Sequence, residues 1–400
     1  LKTKKLFEEN VMLQSCEATV QACEPAKDGY RIVLDQTVFF PEGGGQLSDR
    51  GVLRNGRDAI EVLHASERDG VIYHKTKQPL AAGMLVTCQL NWQERFDHMQ
   101  QHCGEHMLSY AFWKLYGADN VGFHMHPDMV SIDISREVDY EEAMAAEAMT
   151  NQAIEEDRPI HVELVPAEHA AKRPLRKFND KLKGLLRIVS VEGNDSCTCC
   201  GTHPPTTGMV GLVKVLKVER HKGGSRISFL CGREALQKMD VWMRAAQDVS
   251  NRLSVKEEEI AAGVERLEEE KKALGAQVTA LTDRLLDYEL REMDAKPVFD
   301  QAGHRKLVFI REDLTPSQAK ALAKKALERE HAVVAVFYRN GARINYILSA
   351  ASDDVNCQQK LKEVNDRFKG RGGGRPDACQ GSAACVEGWQ QMAADLAAAW

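Results

Sequence analysis

Two short stretches carry residue types that bind metal. Gln101–His106 reads Gln-His-Cys-Gly-Glu-His. His102 and His106 stand four apart, a spacing that on a helix sets both side chains on one face, one turn above the other. About a hundred residues on, Cys199–His203 reads Cys-Cys-Gly-Thr-His and offers a thiolate and a third imidazole from a glycine-containing turn. Two plus two is the ligand count of a tetrahedral zinc, and Cys197 and Cys200 stand close enough in sequence to compete for a place in it. Such a set serves a closed structural site, or a catalytic one in which a ligand loosens or the coordination expands to admit water; spacing leaves both open. His102 to His106 also matches H-x-x-E-H, the inverzincin peptidase signature with glutamate as general base. That class takes a downstream carboxylate as third ligand, where this chain offers a cysteine and a histidine.

The elements that must position these residues can be read from periodicity. Trp92–Tyr116 reads as a helix with Phe96, Met99, Cys103, Met107 and Tyr110 as its buried stripe; His98, His102 and His106 form a second stripe, and Glu105 points off the ligand face. The cysteine turn follows an apolar strand, Leu185–Val191. Before the helix, Val20–Asn91 shows short alternating runs between turn residues, the pattern of a small β-rich barrel or curled sheet. Within it Gly43, Gly44 and Gly45 mark either a tight hairpin turn or a close approach by another backbone or a ligand. Val121–Ile134 reads as a strand pair, Asp139 caps a following helix, and Val210–Leu216 with Ser225–Leu230 makes a further pair. From Leu236 to Met293 the apolar residues Leu253, Ile260, Leu267, Leu274, Leu281 and Tyr288 recur every seventh position, which predicts a coiled-coil-like hairpin or one long helix, an arm for a dimer. The last hundred residues read as α/β, with a capping box at Thr315–Gln318, a hairpin at Asn340-Gly341 and a glycine-rich loop at Gly370–Asp377 that carries Arg371 and Arg375.

Four hundred residues exceed one ordinary domain, and no run approaches the ~18 apolar residues of a membrane span, so a multidomain cytoplasmic chain without membrane contact is expected. Eleven cysteines are an odd number, and five of them, Cys103, Cys197, Cys199, Cys200 and Cys231, lie in or near the proposed metal region, which favours thiols and metal over disulfides. A net charge of -6 argues against indiscriminate coating of nucleic acid, yet it permits a local basic face. The stretches Lys172–Arg187 and Lys360–Arg375 offer one, each equally readable as solvated surface.

Four segments, in order, resemble one family: Asp35–Gln46, Arg95–His106, Asp195–His203 with Thr207-Gly208, and Gly370–Gly381. Together they resemble the editing and C-terminal domains of alanyl-tRNA synthetase in the free-standing arrangement of AlaX-type trans-editing proteins of the long class. The resemblance implies hydrolysis of the ester that joins serine or glycine to alanine tRNA. It implies Zn2+ held by His102, His106, Cys199 and His203, a serine-hydroxyl contact at Thr37, and Gln46 facing the site beside Gly43, Gly44 and Gly45. Arg371 and Arg375 would contact RNA. Two positions depart from the family's usual wording: Cys103-Gly104-Glu105 between the first two ligands, and Cys200 in place of a glycine. The C-terminal domain is shared with DHH-type phosphoesterases, whose paired-histidine signature this chain lacks. With no aminoacylation domain ahead of it, the chain is expected not to charge tRNA.

The expected fold is multidomain α+β. It comprises a β-barrel-like domain at 1–91, an α+β zinc-binding editing domain at 92–235, a helical arm at 236–295 and an α/β tRNA-binding domain at 296–400. The expected activity is aminoacyl-tRNA deacylation in trans by a homodimer. Two alternatives stay open: a non-catalytic tRNA-binding module with a structural zinc, and an inverzincin-like metallopeptidase.

Overall fold

A computed structural model describes residues 2–126, 129–178 and 183–400. Lys181, part of the basic stretch Lys172–Arg187, lies outside the described residues. The chain is multidomain α+β and divides into two compact units, Leu1–Val249 and Ser250–Trp400. Among the described residues no helix is long and apolar enough to cross a membrane.

The first unit opens with a closed six-stranded barrel. Its strands close in the order Ser15–Ala26, Gly29–Leu34, Val71–Thr76, Asp58–Arg68, Gly51–Asn55, Leu85–Leu90. Alternation along these strands sends Ile32, Leu34, Leu53, Val62, Ile72 and Val86 inward, and the interior is filled by side chains. Closure leaves no free edge among these six strands. Asn91 then caps the helix Trp92–Tyr116 by accepting from Glu94 N, and Gly117 ends it in the left-handed conformation. This helix packs with the helix Tyr140–Glu155 against a four-stranded sheet ordered Val213–His221, Gly224–Cys231, Met129–Ile134, Asn120–His126. The capping box expected at Asp139 is present, with Glu142 as its partner. A smaller sheet pairs Ile160–Pro166, Leu185–Val191 and Ser196–Thr198 and leads into the cysteine turn.

One buried ion pair ties the barrel to the helix. Arg95 and Asp49 are each 1% exposed. Arg95 Nε donates to both Asp49 oxygens at 2.8 and 2.9 Å, and its Nη2 donates to Val38 O at 2.6 Å. Asp49 Oδ2 also accepts Phe40 N at 2.6 Å.

The heptad segment is interrupted. It is two helices, Gly232–Leu253 and Ile260–Ala295, and the break between them has Ser254 at φ 54°. Leu253 and Ile260 flank that break, so the seven-residue register does not run through it. Gly263 lets the chain fold back, since a Cβ there would lie 3.1 Å from Leu253 Cδ1. On the second helix Leu286 and Leu290 bury into the C-terminal core, whereas Leu267, Leu274, Val278 and Leu281 are exposed.

The second unit carries a six-stranded mixed sheet. The strands Ala332–Asn340 and Arg343–Ala350 pair with Asn340 opposite Arg343, so the two-residue turn is Gly341-Ala342, one position later than the sequence suggested. The expected loop at Gly370–Asp377 is also corrected: Arg371–Gly374 is an edge strand, with Gly372 opposite Gly381. Its glycines serve contact rather than turning. A Cβ on Gly370 would lie 2.2 Å from the Tyr346 hydroxyl, and one on Gly372 would lie 2.3 Å from Gln380 O.

Candidate metal centre

The helix Trp92–Tyr116 and the turn after Ser196–Thr198 bring four donors together. His102, His106, Cys199 and His203 each place one ligand atom within 4.8 Å of the others. Cys199 Sγ lies 3.2 Å from His102 Nε2 and 3.4 Å from His203 Nε2. Two donors on a tetrahedral zinc with bonds of about 2.0–2.3 Å stand roughly 3.3–3.7 Å apart, so these separations suit the ion. Burial raises the Cys199 thiol, but the surrounding imidazoles of His102, His106 and His203 outweigh it and hold the thiol well below its ordinary value. Burial also pushes His203 down to about 3, against the opposing pull of Cys199. Burial works to lower His106, but Cys197, Cys199, Glu105 and Asp195 outweigh it and hold the ring well above its ordinary value, so a metal that takes it as neutral imidazole would release its proton.

The rival cysteines are placed differently. Cys197 Sγ lies 3.1 Å from His106 Nδ1, in a second cluster with Asp195, and burial raises its thiol. Cys200 faces the glycine turn: a Cβ on Gly44 would lie 2.7 Å from its Sγ. Behind His106, Asp195 Oδ2 sits 3.4 Å from Nδ1 and is itself gripped by Arg176 through two bonds of 2.7 Å. Burial works to raise the Asp195 carboxyl, yet Arg176 and His106 hold it at about 2. A carboxylate behind a histidine fixes the ring and leaves Nε2 for a metal. Asp195 lay inside a segment that carried the family resemblance, but nothing in its spacing assigned it this task.

Gln46 is fully buried and clamps the ligand turn. Its Oε1 accepts Thr202 N at 2.9 Å and its Nε2 donates to Thr202 Oγ1 at 2.8 Å, next to His203. Arg187 holds the same turn from another direction through Cys199 O and Gly201 O, at 3.0 and 2.7 Å. Gly201 must be glycine-like, because a Cβ there would lie 2.3 Å from His102 Cε1. Gly43 and Gly45 belong to a tight hairpin closed by reciprocal Gly43–Gln46 bonds of 3.1 and 3.0 Å. The tight-turn reading of the glycine run holds; Gly44 also lines the cavity over the cluster, and a Cβ on Gly45 would strike the Phe123 ring at 2.5 Å.

Two placements correct the sequence reading. Thr37 does not reach the cavity: it is 0% exposed. Its hydroxyl lies 2.8 Å from His74 Nε2 and accepts Phe39 N at 3.1 Å. A strand-end threonine before a glycine turn gives no clue to which face of the barrel it joins. Glu105, by contrast, does reach the cavity. Its Oε1 accepts Ser109 Oγ and Asn120 Nδ2 at 2.8 and 2.6 Å, and its Oε2 lies 3.7 Å from His106 Nε2. Arg371 and Arg375 belong to the second unit, where both are exposed and Arg375 pairs with Asp377 at 2.9 Å.

His74 makes the barrel acid-sensitive. Its Nδ1 lies 3.0 Å from Ile32 O and so carries the proton, which leaves Nε2 as acceptor for Thr37. Burial pushes the ring down to about 4, against the Ile32 bond. A depressed histidine favours folding fully above the unfolded value near 6.5 and loses that contribution as pH falls towards 4. The expected loss is up to about 3 kcal/mol. Urea titrations at pH 7 and 4.5 should show it, and the loss should shrink in His74→Asn; an equal loss in both proteins would refute the assignment.

Gly104 is where the site helix meets the sheet. A Cβ there would lie 2.2 Å from Cys231 Sγ and 3.1 Å from Val213 Cγ2. Gly104→Ala is therefore expected to destabilise by roughly 1–2 kcal/mol, overpacking outweighing the gain of about 1 kcal/mol in helix propensity. Adding Cys231→Ala should restore the melting temperature; no recovery would count against the clash.

Three family profiles match the chain: tRNA synthetases class II (A) at residues 3–94, the threonyl and alanyl tRNA synthetase second additional domain at 186–228, and the DHHA1 domain at 303–399. The barrel and the region of the site sheet thus fall in the class of tRNA-synthetase-related domains, and the C-terminal unit carries a DHHA1 domain. The chain is 31% identical over 392 residues to the alanyl-tRNA editing protein AlaX-L of Pyrococcus horikoshii, with 94% of each chain covered. It is 32% identical over 240 residues to the alanyl-tRNA editing protein Aarsd1 of Mus musculus, covering 56% of this chain and 57% of that protein. To the alanine–tRNA ligase of Pyrococcus abyssi it is 30% identical over 392 residues, 95% of this chain and 42% of the ligase. The chain belongs to the alanyl-tRNA editing protein family, in its long AlaX class.

Proposed function

We propose that this protein is a zinc-dependent deacylase acting in trans on alanine tRNA mischarged with serine or glycine. The observation that carries the proposal is the buried Cys/His donor set opening on a cavity of about 540 Å³, in a chain similar to proteins named for alanyl-tRNA editing. Zinc held by His102, His106, Cys199 and His203 would supply Lewis acidity towards the ester carbonyl or a water. The chain's own residues do the rest. Gln46 and Arg187 fix the ligand turn, Asp195 sets the His106 ring, and Gly44 leaves room for a ribose at the cavity wall. Glu105 Oε2 presents a carboxylate oxygen at that wall. In the reaction the acyl–oxygen bond breaks, water adds to the acyl carbon, and the tRNA hydroxyl leaves with a proton. A catalytic role fits this donor set better than a closed structural one because the cluster opens on a cavity, and the cysteine-plus-histidine set does not match an inverzincin.

Gln46 enters as a positioning residue through Thr202, and Thr37 braces the strand before the glycine turn through its bonds to His74 and Phe39 N. Arg371 and Arg375 are proposed RNA contacts, and the exposed seam Leu267, Leu274, Val278 and Leu281 supports a homodimer. The deciding experiment is hydrolysis of seryl-, glycyl- and alanyl-tRNA by the full chain, with metal content measured alongside. Faster loss of serine or glycine than of alanine is expected. Rates equal to buffer for all three would end the proposal, and a monomer mass in light scattering at micromolar concentration would end the dimer.

A further inference from the structure

Two cysteines that the metal centre does not use face each other in the barrel wall. Cys16 lies on the strand Ser15–Ala26 and Cys88 on Leu85–Leu90, and the antiparallel register sets them directly opposite each other. Directly opposed residues project to one face with Cα atoms about 4.5–5.5 Å apart, inside the roughly 4.4–6.8 Å that a disulfide spans. Alternation turns that face into the barrel, where Cys88 is fully buried with Val86 and Leu90 on either side. Cys16 comes next to last at the start of its strand and is half-buried, so solvent reaches one sulfur of the pair. Both are free thiols.

The two sulfurs are not equivalent. The Cys88 thiol donates to Cys16 and, with the Val38 backbone N–H, holds Cys16 below its ordinary value against burial and Asp35. The same contact and its own burial raise Cys88, which stays protonated. The thiolate therefore forms on the sulfur that solvent reaches, the condition for reaction with a small oxidant. A second pair of cysteines, in the C-terminal unit, lacks that access. Cys379 Sγ lies 3.0 Å from Cys357 O, but these residues are 4% and 1% exposed.

We propose that Cys16 and Cys88 are a peroxide-sensitive dithiol that closes to a disulfide between the two barrel strands, with Cys16 as the attacking sulfur and Cys88 as the resolving one. The Cys16 thiolate attacks a peroxide oxygen and the O–O bond breaks. Cys16 becomes a sulfenic acid, and the hydroxide released takes a proton to leave as water. The Cys88 sulfur then attacks the Cys16 sulfur, the S–O bond breaks, and the departing hydroxide takes the Cys88 proton as a second water. Two thiols have then given two electrons to one peroxide. The strand Leu85–Leu90 runs directly into Asn91, the cap of the site helix, so the link pins the strand that enters that helix while using none of the four metal donors.

The test treats the reduced full chain with hydrogen peroxide, alkylates the remaining thiols and maps unreduced peptides by mass spectrometry. A Cys16–Cys88 cross-linked peptide should form, disappear with dithiothreitol and precede any Cys357–Cys379 link. Cys16→Ser should abolish it, and Cys88→Ser should leave a dimedone-reactive sulfenic acid at Cys16. The oxidised wild type should melt roughly 4–10 °C above the reduced form, a gain absent in Cys16→Ser. Cys16 and Cys88 both free after excess peroxide, Cys16 linked to a different cysteine, or an unchanged melting temperature overturns the inference. The wild-type peptide map decides the point even where Cys88→Ser fails to fold.

Discussion

On the proposed zinc assignment, Cys199→Ala is expected to purify with less zinc than the wild type and to slow seryl-tRNA hydrolysis by at least about 10²-fold, since even removal of groups behind a metal ligand costs 10–100-fold. The reasoning starts from its setting: Cys199 Sγ is the only sulfur in the four-donor cluster and contacts two of the three imidazoles. Its removal leaves three neutral donors, a set zinc still occupies in some sites but with lower affinity. Cys197→Ala is the matched control. Its thiol is raised by burial and faces His106 Nδ1, away from the proposed ligand nitrogen, so zinc content should stay near one per chain. If Cys197→Ala lost the metal while Cys199→Ala kept it, the ligand assignment would have to be exchanged between the two cysteines. Atomic absorption on dialysed protein reads the result without reference to activity.

Arg95→Met should destabilise the first unit by about 3–5 kcal/mol, the cost of leaving one buried charge without its partner. Asp49, 1% exposed, would retain Phe40 N as its remaining polar contact among those described. The size of the loss comes from the stranded carboxylate more than from the missing bonds, which gives a sharp control. Asp49→Asn combined with Arg95→Met removes the charge and should recover part of the loss, so the two substitutions must couple in a double-mutant cycle. Urea unfolding would read both. A loss under about 1 kcal/mol, or strict additivity, would show that the pair does not lock the barrel to the site helix.

The site helix shows how far periodicity reaches. Trp92–Tyr116 begins and ends where its cap and its terminal glycine put it, because local hydrogen bonding and an apolar stripe are both written in consecutive residues. The i, i+4 histidines were legible for the same reason. Glu105 was misplaced because spacing ranks residues by angle around one helix and says nothing of Asn120, a partner on a neighbouring strand that draws the carboxylate towards the cavity wall. At Gly370–Gly374 composition pointed to a loop, and only the presence of Tyr346 and the Gln380 backbone explains why glycine is needed in an edge strand. The arm was readable as helix, but its register was not, since a left-handed Ser254 breaks a repeat that residue types alone continue.

By itself the sequence determined the donor types, the helix that carries two of them, the family, and the alternation that closes a barrel. All are properties of near neighbours or of segment order. Only the tertiary structure decided which cysteine faces the imidazoles, that Asp195 and Arg176 stand behind His106, that Gln46 grips Thr202 across 156 positions, and that Thr37 is turned to His74. Those choices depend on which surfaces meet when distant segments pack, and the cost of burying an unpaired polar group fixes them once the meeting is made.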